Sequence, residues 1–539
     1  MAKAMFHDRR TRPLTRRPVH ALQAGVRALL GRADKALDTL YGWRYNPIYH
    51  SGALVFACFL VLVVTGIYLF LFYRIGAPYD SVARIADQAW AGRWIRTLHR
   101  YVSDLAVVAI GLHALRMFAQ DRAWGPRALA WTSGMVLSAL FLVCGWTGYV
   151  MVWDVQAQLL AVEGARLFDF VPIFADPISR AFVGEREMPP AFFFLNLFAH
   201  LAIPAGIALV LWIHVSRVAR ARLLPPGPLL WGTVALFTAL SVIWPAPMAP
   251  EADPLRIPTD VPFDVLYGFW LPLTRAVSVG WAWTGILVMA AVLLSVPFFT
   301  RARPGEGKEP SWVDARLCTG CEQCYHDCPW EAIAMVPRPD GREGFVALVD
   351  PEKCVSCGIC SGSCAPMSVG PPGRTGRDQL ERVKRFIQKE RLSPRDVVIV
   401  GCERSAAGGG RERVGGDVVY TASCAGAVHT SVIEYLVRAG AGGVLVATCP
   451  PRDCWSREGA TWLEARVHEG REAELQERVD RRRVRIVHAA AYDAAGLALE
   501  LERFRNDVAA LGLGAAEEQV EVETVCEVPE VSVAEEVRR

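Results

Sequence analysis

Four histidines constrain this chain more than any other feature. His99 and His113 stand fourteen residues apart, as do His200 and His214, each pair inside a long apolar stretch. Fourteen residues is just under four helical turns, so both members of a pair lie on one helix face, about 21 Å apart along the axis. Two such helices side by side offer two levels with two imidazoles each. That is bis-histidine ligation for two stacked haems, His99 with His200 and His113 with His214.

Six segments are long enough to span a bilayer: 51–72, 94–118, 129–150, 192–218, 229–244 and 281–299, the fifth being the shortest. Basic residues flank alternate ends: Arg9 to Arg44, Arg116 to Arg127, Arg217 to Arg222, and Arg301 to Lys308. The positive-inside rule makes these ends cytoplasmic. Both termini then lie inside, and the connections 151–190 and 245–271 face outside. This orientation puts the His99/His200 level at the outer face. The basic start, Arg9 to Arg17, leads into a polar, amphipathic stretch, so no secretory signal is expected.

Glycines repeat the same interval. Gly52 and Gly66 lie in the first span, Gly134 and Gly148 in the third, each pair fourteen apart. Generic helix packing would use glycine too. The shared interval points instead to two gaps where a macrocycle meets bare backbone.

Fifteen cysteines in 539 residues are many, and most stand in metal-ligand spacing. Cys318-x2-Cys321-x2-Cys324-x3-Cys328-Pro329 repeats as Cys354-x2-Cys357-x2-Cys360-x3-Cys364. In this two-cluster ferredoxin pattern the fourth cysteine of each run serves the other cluster. One [4Fe–4S] set is then Cys318, Cys321, Cys324 and Cys364; the other is Cys354, Cys357, Cys360 and Cys328. From Asp396 onward the pattern is α/β, with strands expected at 397–400, 418–420 and 443–447 and a helix after Gly426. Cys402, Cys424, Cys449 and Cys454 lie at or near the strand ends and could converge on a [2Fe–2S] cluster. The alternative is a set of inert buried thiols.

Here the residues reach known families. Gly52/Gly66, His99/His113, Gly134/Gly148, His200/His214 and the segment Gly148-Tyr149-Val150-Met151-Val152-Trp153 resemble cytochrome b of the quinol-oxidising bc and bf complexes, over about residues 40–300. The resemblance implies quinone chemistry at either membrane face. The family's outer-site Pro-Glu-Trp-Tyr motif should fall near Pro262, where this chain reads Pro262-Phe263-Asp264-Val265. Its inner-site histidine is here Arg220, and no cysteine stands where the bf form attaches its extra haem. Asp154, Glu163, Asp264 and Arg220 are the candidate quinone-site groups; solvated loop carboxylates are the plain alternative for the three acids. Asp104, between the haem ligands of one helix, is either functional or simply paired with Arg100.

Ser423-Cys424-Ala425-Gly426, Gly443-Val444-Leu445-Val446 and Cys449-Pro450-Pro451-Arg452-Asp453-Cys454 resemble the iron–sulfur delta subunit of methyl-viologen-reducing hydrogenase, over about residues 395–465. That resemblance implies cytoplasmic partners: a heterodisulfide reductase-like flavoprotein, a hydrogenase or a formate dehydrogenase. No Gly-rich dinucleotide fingerprint is present, so flavin or nicotinamide would belong to a partner. Nothing in the sequence asks for nucleic acid, and a homodimer is compatible with it.

The expected fold class is a membrane all-α bundle of six helices, cytochrome b-like, then an α+β bacterial-ferredoxin module, then a small α/β iron–sulfur domain. The expected boundaries are a basic cytoplasmic segment (1–50), the membrane domain (51–300), a linker (301–312), the ferredoxin (313–365), a linker and helix (366–394), the α/β domain (395–512) and an acidic tail (513–539), with Cys526 free. The expected setting is a prokaryotic cytoplasmic membrane, with the iron–sulfur domains inside. The reading is a membrane subunit passing electrons between a cytoplasmic partner and the quinone pool. A quinol-oxidising bc-like subunit, a haem-free anchor and a redox sensor are the alternatives.

Overall fold

The computed structural model describes residues 18–42, 44–171, 177–182, 188–216, 223–256, 261, 264–301, 309–451, 453–456, 458–491 and 493–511. It divides into two compact units. One comprises residues 1–311, 328–334 and 348–356; the other comprises 312–327, 335–347 and 357–539.

The first unit is a helix bundle. Five helices are long and apolar enough to cross a membrane: Ser51–Phe72, Gly92–Ala119, Ala128–Val150, Pro190–Ser216 and Val279–Thr300. A shorter apolar helix, Gly227–Ile243, has 17 residues and completes the expected six. Their outward faces are apolar: Trp212, Trp231, Trp281 and Phe298 are all more than two-thirds exposed. Such a surface suits lipid, where the backbone satisfies itself within each helix. The first and second spans pack together, as do the third and fourth. Cys58, Leu98, Val102, Ala106, Leu137, Phe141 and Ile207 form a buried apolar layer between the two histidine levels.

Two parts of this unit add to the expectation. The basic N-terminal segment contains a helix, Pro18–Tyr41, tied to the end of the second span. Gln23 and Arg27 donate to the Phe118 and Ala119 carbonyls in the last turn of that span, where intrahelical donors run out. Arg116 pairs with Asp34 at 2.9 Å, both nearly fully buried. The connection 151–190 is not a plain loop either. It carries the helix Val155–Asp169, whose residues Ala157 to Ala165 are all buried.

The second unit contains a short β-ladder and a five-stranded sheet. Trp312–Val313 pairs antiparallel with Val369–Gly370. Both expected linkers therefore give up residues to the ferredoxin module, because this pairing closes it at its two ends. The helix after it runs Gly376–Glu390, opened by a capping box of Thr375 and Asp378.

The five-stranded sheet has the order 413–414, 417–422, 397–402, 443–448, 484–488, all parallel except the first pair. Strands 397–402 and 443–448 are buried throughout, as strands covered on both faces must be. Alternation divides them between two cores. Val398 and Val400 face Val432, Ile433 and Leu436; Val397 and Ile399 face Leu497, Leu501 and Phe504. Strand 397–402 lies between the later strands 417–422 and 443–448, so the carboxyl edge beside it is a topological switch point.

Candidate metal centres

In the membrane unit the histidines meet as their spacing requires. The His99 and His200 rings face one another with centroids 6.4 Å apart. An iron bonded to one nitrogen of each ring at about 2.0 Å fits that separation, since the ring centre lies about 1 Å further back. His113 and His214 are likewise neighbours.

Each imidazole lies against one of the four glycines. A Cβ on Gly52 would stand 2.7 Å from His113, on Gly66 3.4 Å from His99, on Gly134 3.3 Å from His214 and on Gly148 3.0 Å from His200. The glycines thus admit the ligand rings themselves to the neighbouring helix. Sequence reasoning had given that space to the macrocycle.

A second device, missed from sequence, sits beside the glycines. Thr65 Oγ1 is 2.8 Å from His99 Nδ1, Ser133 Oγ 3.1 Å from His214 Nδ1, and Thr147 Oγ1 2.9 Å from His200 Nδ1. Each hydroxyl donates to a carbonyl of its own helix, at Val61, Leu129 and Cys144 respectively. Its proton is spent there, so Nδ1–H is the donor to the hydroxyl and Nε2 is left for a metal. Ser51 occupies the fourth equivalent position, buried, with no hydrogen-bond partner among the described residues. The readable signal was a Ser or Thr before every glycine: Ser51-Gly52, Thr65-Gly66, Ser133-Gly134 and Thr147-Gly148. Pro204 adds to this level. Lacking an N–H, it leaves the His200 carbonyl without its helical partner, and Cys144 Sγ approaches that oxygen at 3.9 Å.

Among the candidate quinone-site acids, Asp264 lies beside the His99/His200 level. It accepts from Arg100 and from the Tyr149 hydroxyl. Its other oxygen holds the N–H groups of Leu266 and Tyr267 at 2.8 and 2.6 Å. Arg100 follows His99 and Tyr149 follows Gly148, so the cluster is level with the His99/His200 pair. The Arg100 guanidinium stacks 4.1 Å over the Tyr149 ring and also reaches Asp104 at 3.3 Å. Asp104 is therefore paired with Arg100, which it shares with Asp264. Tyr267 bonds Ser103 and packs where Gly145 leaves room for its ring.

Asp154 and Glu163 are committed elsewhere. Asp154 caps the helix Val155–Asp169 through Ala157 N–H at 2.9 Å and holds Ala249 N–H at 3.3 Å. Buried Glu163 is paired with Arg166 at 3.0 Å and Arg275 at 3.1 Å. Arg220 and Cys526 lie outside the described residues.

In the second unit Cys318, Cys321, Cys324 and Cys364 line one cleft of about 270 Å³ with Met335, Ala347, Pro366 and Ser368. Cys364 Sγ accepts Ser368 N–H at 3.2 Å. Cys328 and Cys354 belong to the first unit, where their sulfurs accept N–H groups of Ala332 and Ser311 at 3.4 Å each. Cys357 and Cys360 belong to the second. The two runs repeat in backbone as well as in sequence. Gly320 and Ser356 share positive φ (75° and 55°), as do Glu322 and Gly358 (63° and 81°).

At the carboxyl edge of the sheet four further cysteines are in mutual contact. All four are free thiols: Cys402 is hydrogen-bonded to Cys449, Cys449 to Cys454, and Cys454 to Cys424. All four are nearly fully buried. Gly459 passes so close that a Cβ would stand 2.7 Å from Cys424 Sγ and 3.4 Å from Cys454 Sγ. The bond from Cys449 holds the Cys402 thiol down at about 7, while the bond to Cys454 and burial push Cys424 well up. Four packed sulfurs cannot all carry charge unless a cation joins them, and thiolates with soft metal supply that pairing. Among the described residues no three His, Cys, Asp or Glu side chains form a ready single-ion site.

Comparison with known families agrees with this geometry. Residues 38–221 match cytochrome b/b6, residues 317–366 the 4Fe-4S dicluster domain, and residues 418–512 the delta subunit of methyl-viologen-reducing hydrogenase. The chain is a fusion of these three domains. Its cytochrome b domain implies haem b, its dicluster domain implies [4Fe–4S] clusters, and its apolar helices make it a multi-pass membrane protein. The cytochrome b match ends before the last two apolar helices. The menaquinol:cytochrome c reductase cytochrome b subunit of Geobacillus thermodenitrificans is 26% identical over 221 residues, 36% of this chain and 96% of that relative. Its Bacillus subtilis (strain 168) counterpart is 25% identical over the same shares. A solved hyperthermophilic respiratory Complex III aligns with 47% of the fusion and 75% of its own chain, at 18% identity and TM-score 0.39.

Proposed function

We propose that this fusion is the membrane electron-transfer subunit of a quinone-linked oxidoreductase complex. It carries electrons between a soluble cytoplasmic redox partner and the membrane quinone pool. The observation that carries this reading is the presence, in one chain, of facing His99/His200 rings and the thiol cluster Cys402/Cys424/Cys449/Cys454. Two b haems, two [4Fe–4S] clusters and one [2Fe–2S] cluster would supply one-electron steps when bound.

The chain's own residues divide the remaining work. Neutral His99, His200, His113 and His214 present Nε2, and Thr65, Ser133 and Thr147 fix three of those rings. On the spacing of the two runs, Cys318, Cys321, Cys324 and Cys364 would hold one [4Fe–4S], and Cys328, Cys354, Cys357 and Cys360 the other. Asp264 is the proton-handling group of a quinone pocket at the His99/His200 level, with Arg100 and Tyr149 orienting its carboxylate. The basic residues at alternate span ends support a cytoplasmic side for the iron–sulfur modules. The soluble partner is a flavoprotein, hydrogenase or formate dehydrogenase, as the delta-subunit match suggests. Electrons run from that partner to quinone.

One observation favours a second reading. The carboxylate Asp264 lies one residue past Phe263, which takes the place of the acid in the bc-type Pro-Glu-Trp-Tyr motif, and a carboxylate so close to that position supports quinol oxidation there with electrons sent inward. A haem-free anchor, by contrast, gives the facing histidines no role.

The test is purification of the native complex with identification of its subunits. Haem reduction by each soluble donor and reoxidation by a menaquinone analogue are then followed optically. Donor-reduced haems that the quinone reoxidises support the first reading. Haems reduced only by quinol support the second, and haems that respond to neither quinone nor quinol reject both.

A further inference from the structure

A buried charge cluster in the second unit has no part in ligation as described above. Arg466, on the helix Gly459–His468, is fully buried. Its Nη1 donates to Ser363 Oγ at 2.9 Å and its Nη2 to the Gly426 carbonyl at 2.7 Å. The Asp327 carboxylate, also fully buried, stands 3.9 Å from Nη1. Ser363 donates to Asp327 at 2.6 Å, and Gln323 and Arg471 hold the other carboxylate oxygen at 2.8 and 2.6 Å. Gly362 makes room for this approach: a Cβ there would stand 2.7 Å from Arg466 Nη2.

The anchors are not random loop positions. Asp327 lies between Cys324 and Cys328, Ser363 immediately precedes Cys364, and Gly426 follows Cys424 by two residues. One guanidinium therefore fixes the ferredoxin-type ligand loops and the Cys424 loop together. The charges do not cancel locally. Asp327 offsets one of two cations, Arg466 and Arg471, and Arg466 Nε remains buried with no hydrogen-bond partner among the described residues. A guanidinium keeps its proton at any ordinary pH. Its missing counter-charge is what thiolate-ligated iron–sulfur sites provide, since each is net negative and becomes more so on reduction.

We propose that Arg466 is a shared positioning residue that locks the Cys318 and Cys424 iron–sulfur sites into one relay and biases both toward their reduced forms. The proposal rests on the iron–sulfur reading above. In each step one electron arrives from a low-potential soluble reductant; no bond forms or breaks, no proton moves, and Arg466 stays cationic. In the low-dielectric interior a fixed positive charge favours the state with the extra electron.

The test is an anaerobic, dye-mediated redox titration of the purified full chain, read by electron paramagnetic resonance with iron content measured in parallel. Arg466→Met should retain iron and disfavour reduction of the [2Fe–2S] signal and at least one [4Fe–4S] signal by tenfold or more, which is 59 mV for one electron. Arg466→Lys should shift them less. Asp327→Asn should shift the same signals the opposite way, and it decides the matter if Arg466→Met does not fold. Iron-loaded Arg466→Met that titrates like wild type, or Asp327→Asn that fails to ease reduction, overturns the proposal alone. A wild-type chain that binds no iron overturns the iron–sulfur reading, and the proposal with it.

Discussion

Thr65 Oγ1 stands 2.8 Å from Nδ1 of His99 while donating its own proton to the Val61 carbonyl. The hydroxyl can therefore only accept from the ring, which fixes the tautomer and the ring's rotation. Thr65→Val keeps the shape and deletes the acceptor. Removing such an outer partner weakens metal binding by about 10- to 100-fold. Haem retention during detergent washing, and an optical redox titration of the His99 haem, should both change; unchanged values would leave Thr65 without this role.

Gly148 tests the haem pocket by volume. A Cβ there would stand 3.0 Å from His200, and a branched side chain would reach further still. Gly148→Val should displace His200 and reduce a pyridine haemochrome assay from two haems per chain to one. Gly206, with nothing within 4 Å of its would-be Cβ, is the control. Gly206→Ala should keep both.

Asp264→Asn removes the charge and keeps one oxygen for the Leu266 and Tyr267 N–H groups, while its NH2 replaces the oxygen that accepts from Tyr149 and Arg100. Quinone-linked turnover should fall by about 100-fold or more, as expected for loss of a proton-transfer group, with both haems retained. Asp154→Ala should behave differently. Deleting the cap of Val155–Asp169 should cost about 1 kcal/mol of stability and lower the unfolding temperature. Turnover unaffected by Asp264→Asn would move the quinone site elsewhere.

Cys424→Ser should abolish the [2Fe–2S] resonance of the full chain and remove about two irons, leaving the [4Fe–4S] signals. Cys526→Ser should change nothing. A resonance that survives Cys424→Ser would reassign the ligands.

The histidines and the ferredoxin cysteines were legible because their ligand spacing is local: one helix face, or one short run. The sheet-edge cysteines were legible at one remove, through strands that end near a cysteine. The partners of Asp264 were not legible. Arg100 and Tyr149 lie 164 and 115 residues away in the chain, and only packing of the connections against the helix ends brings them together. The helix Val155–Asp169 was lost because it sits inside a connection assigned to the outside, and its apolar run is too short to span. Arg466 gave no signal, since a single arginine on a short amphipathic helix looks like solvated surface. The two linkers were overextended because a two-residue ladder carries no periodicity.

The sheet order also dictates when its thiol site can come into existence. Cys402, Cys424 and Cys449 leave three different parallel strands, and the strand of Cys402 lies between the other two. Parallel pairing closes long loops before any contact rewards it, so such a site is assembled late in folding. A Cys-x2-Cys-x2-Cys run can begin to chelate iron on an almost unfolded chain. The sheet-edge site cannot; iron must enter a domain that is already built. Iron starvation should therefore leave the α/β domain folded and empty, while the ferredoxin module loses the ions that organise it.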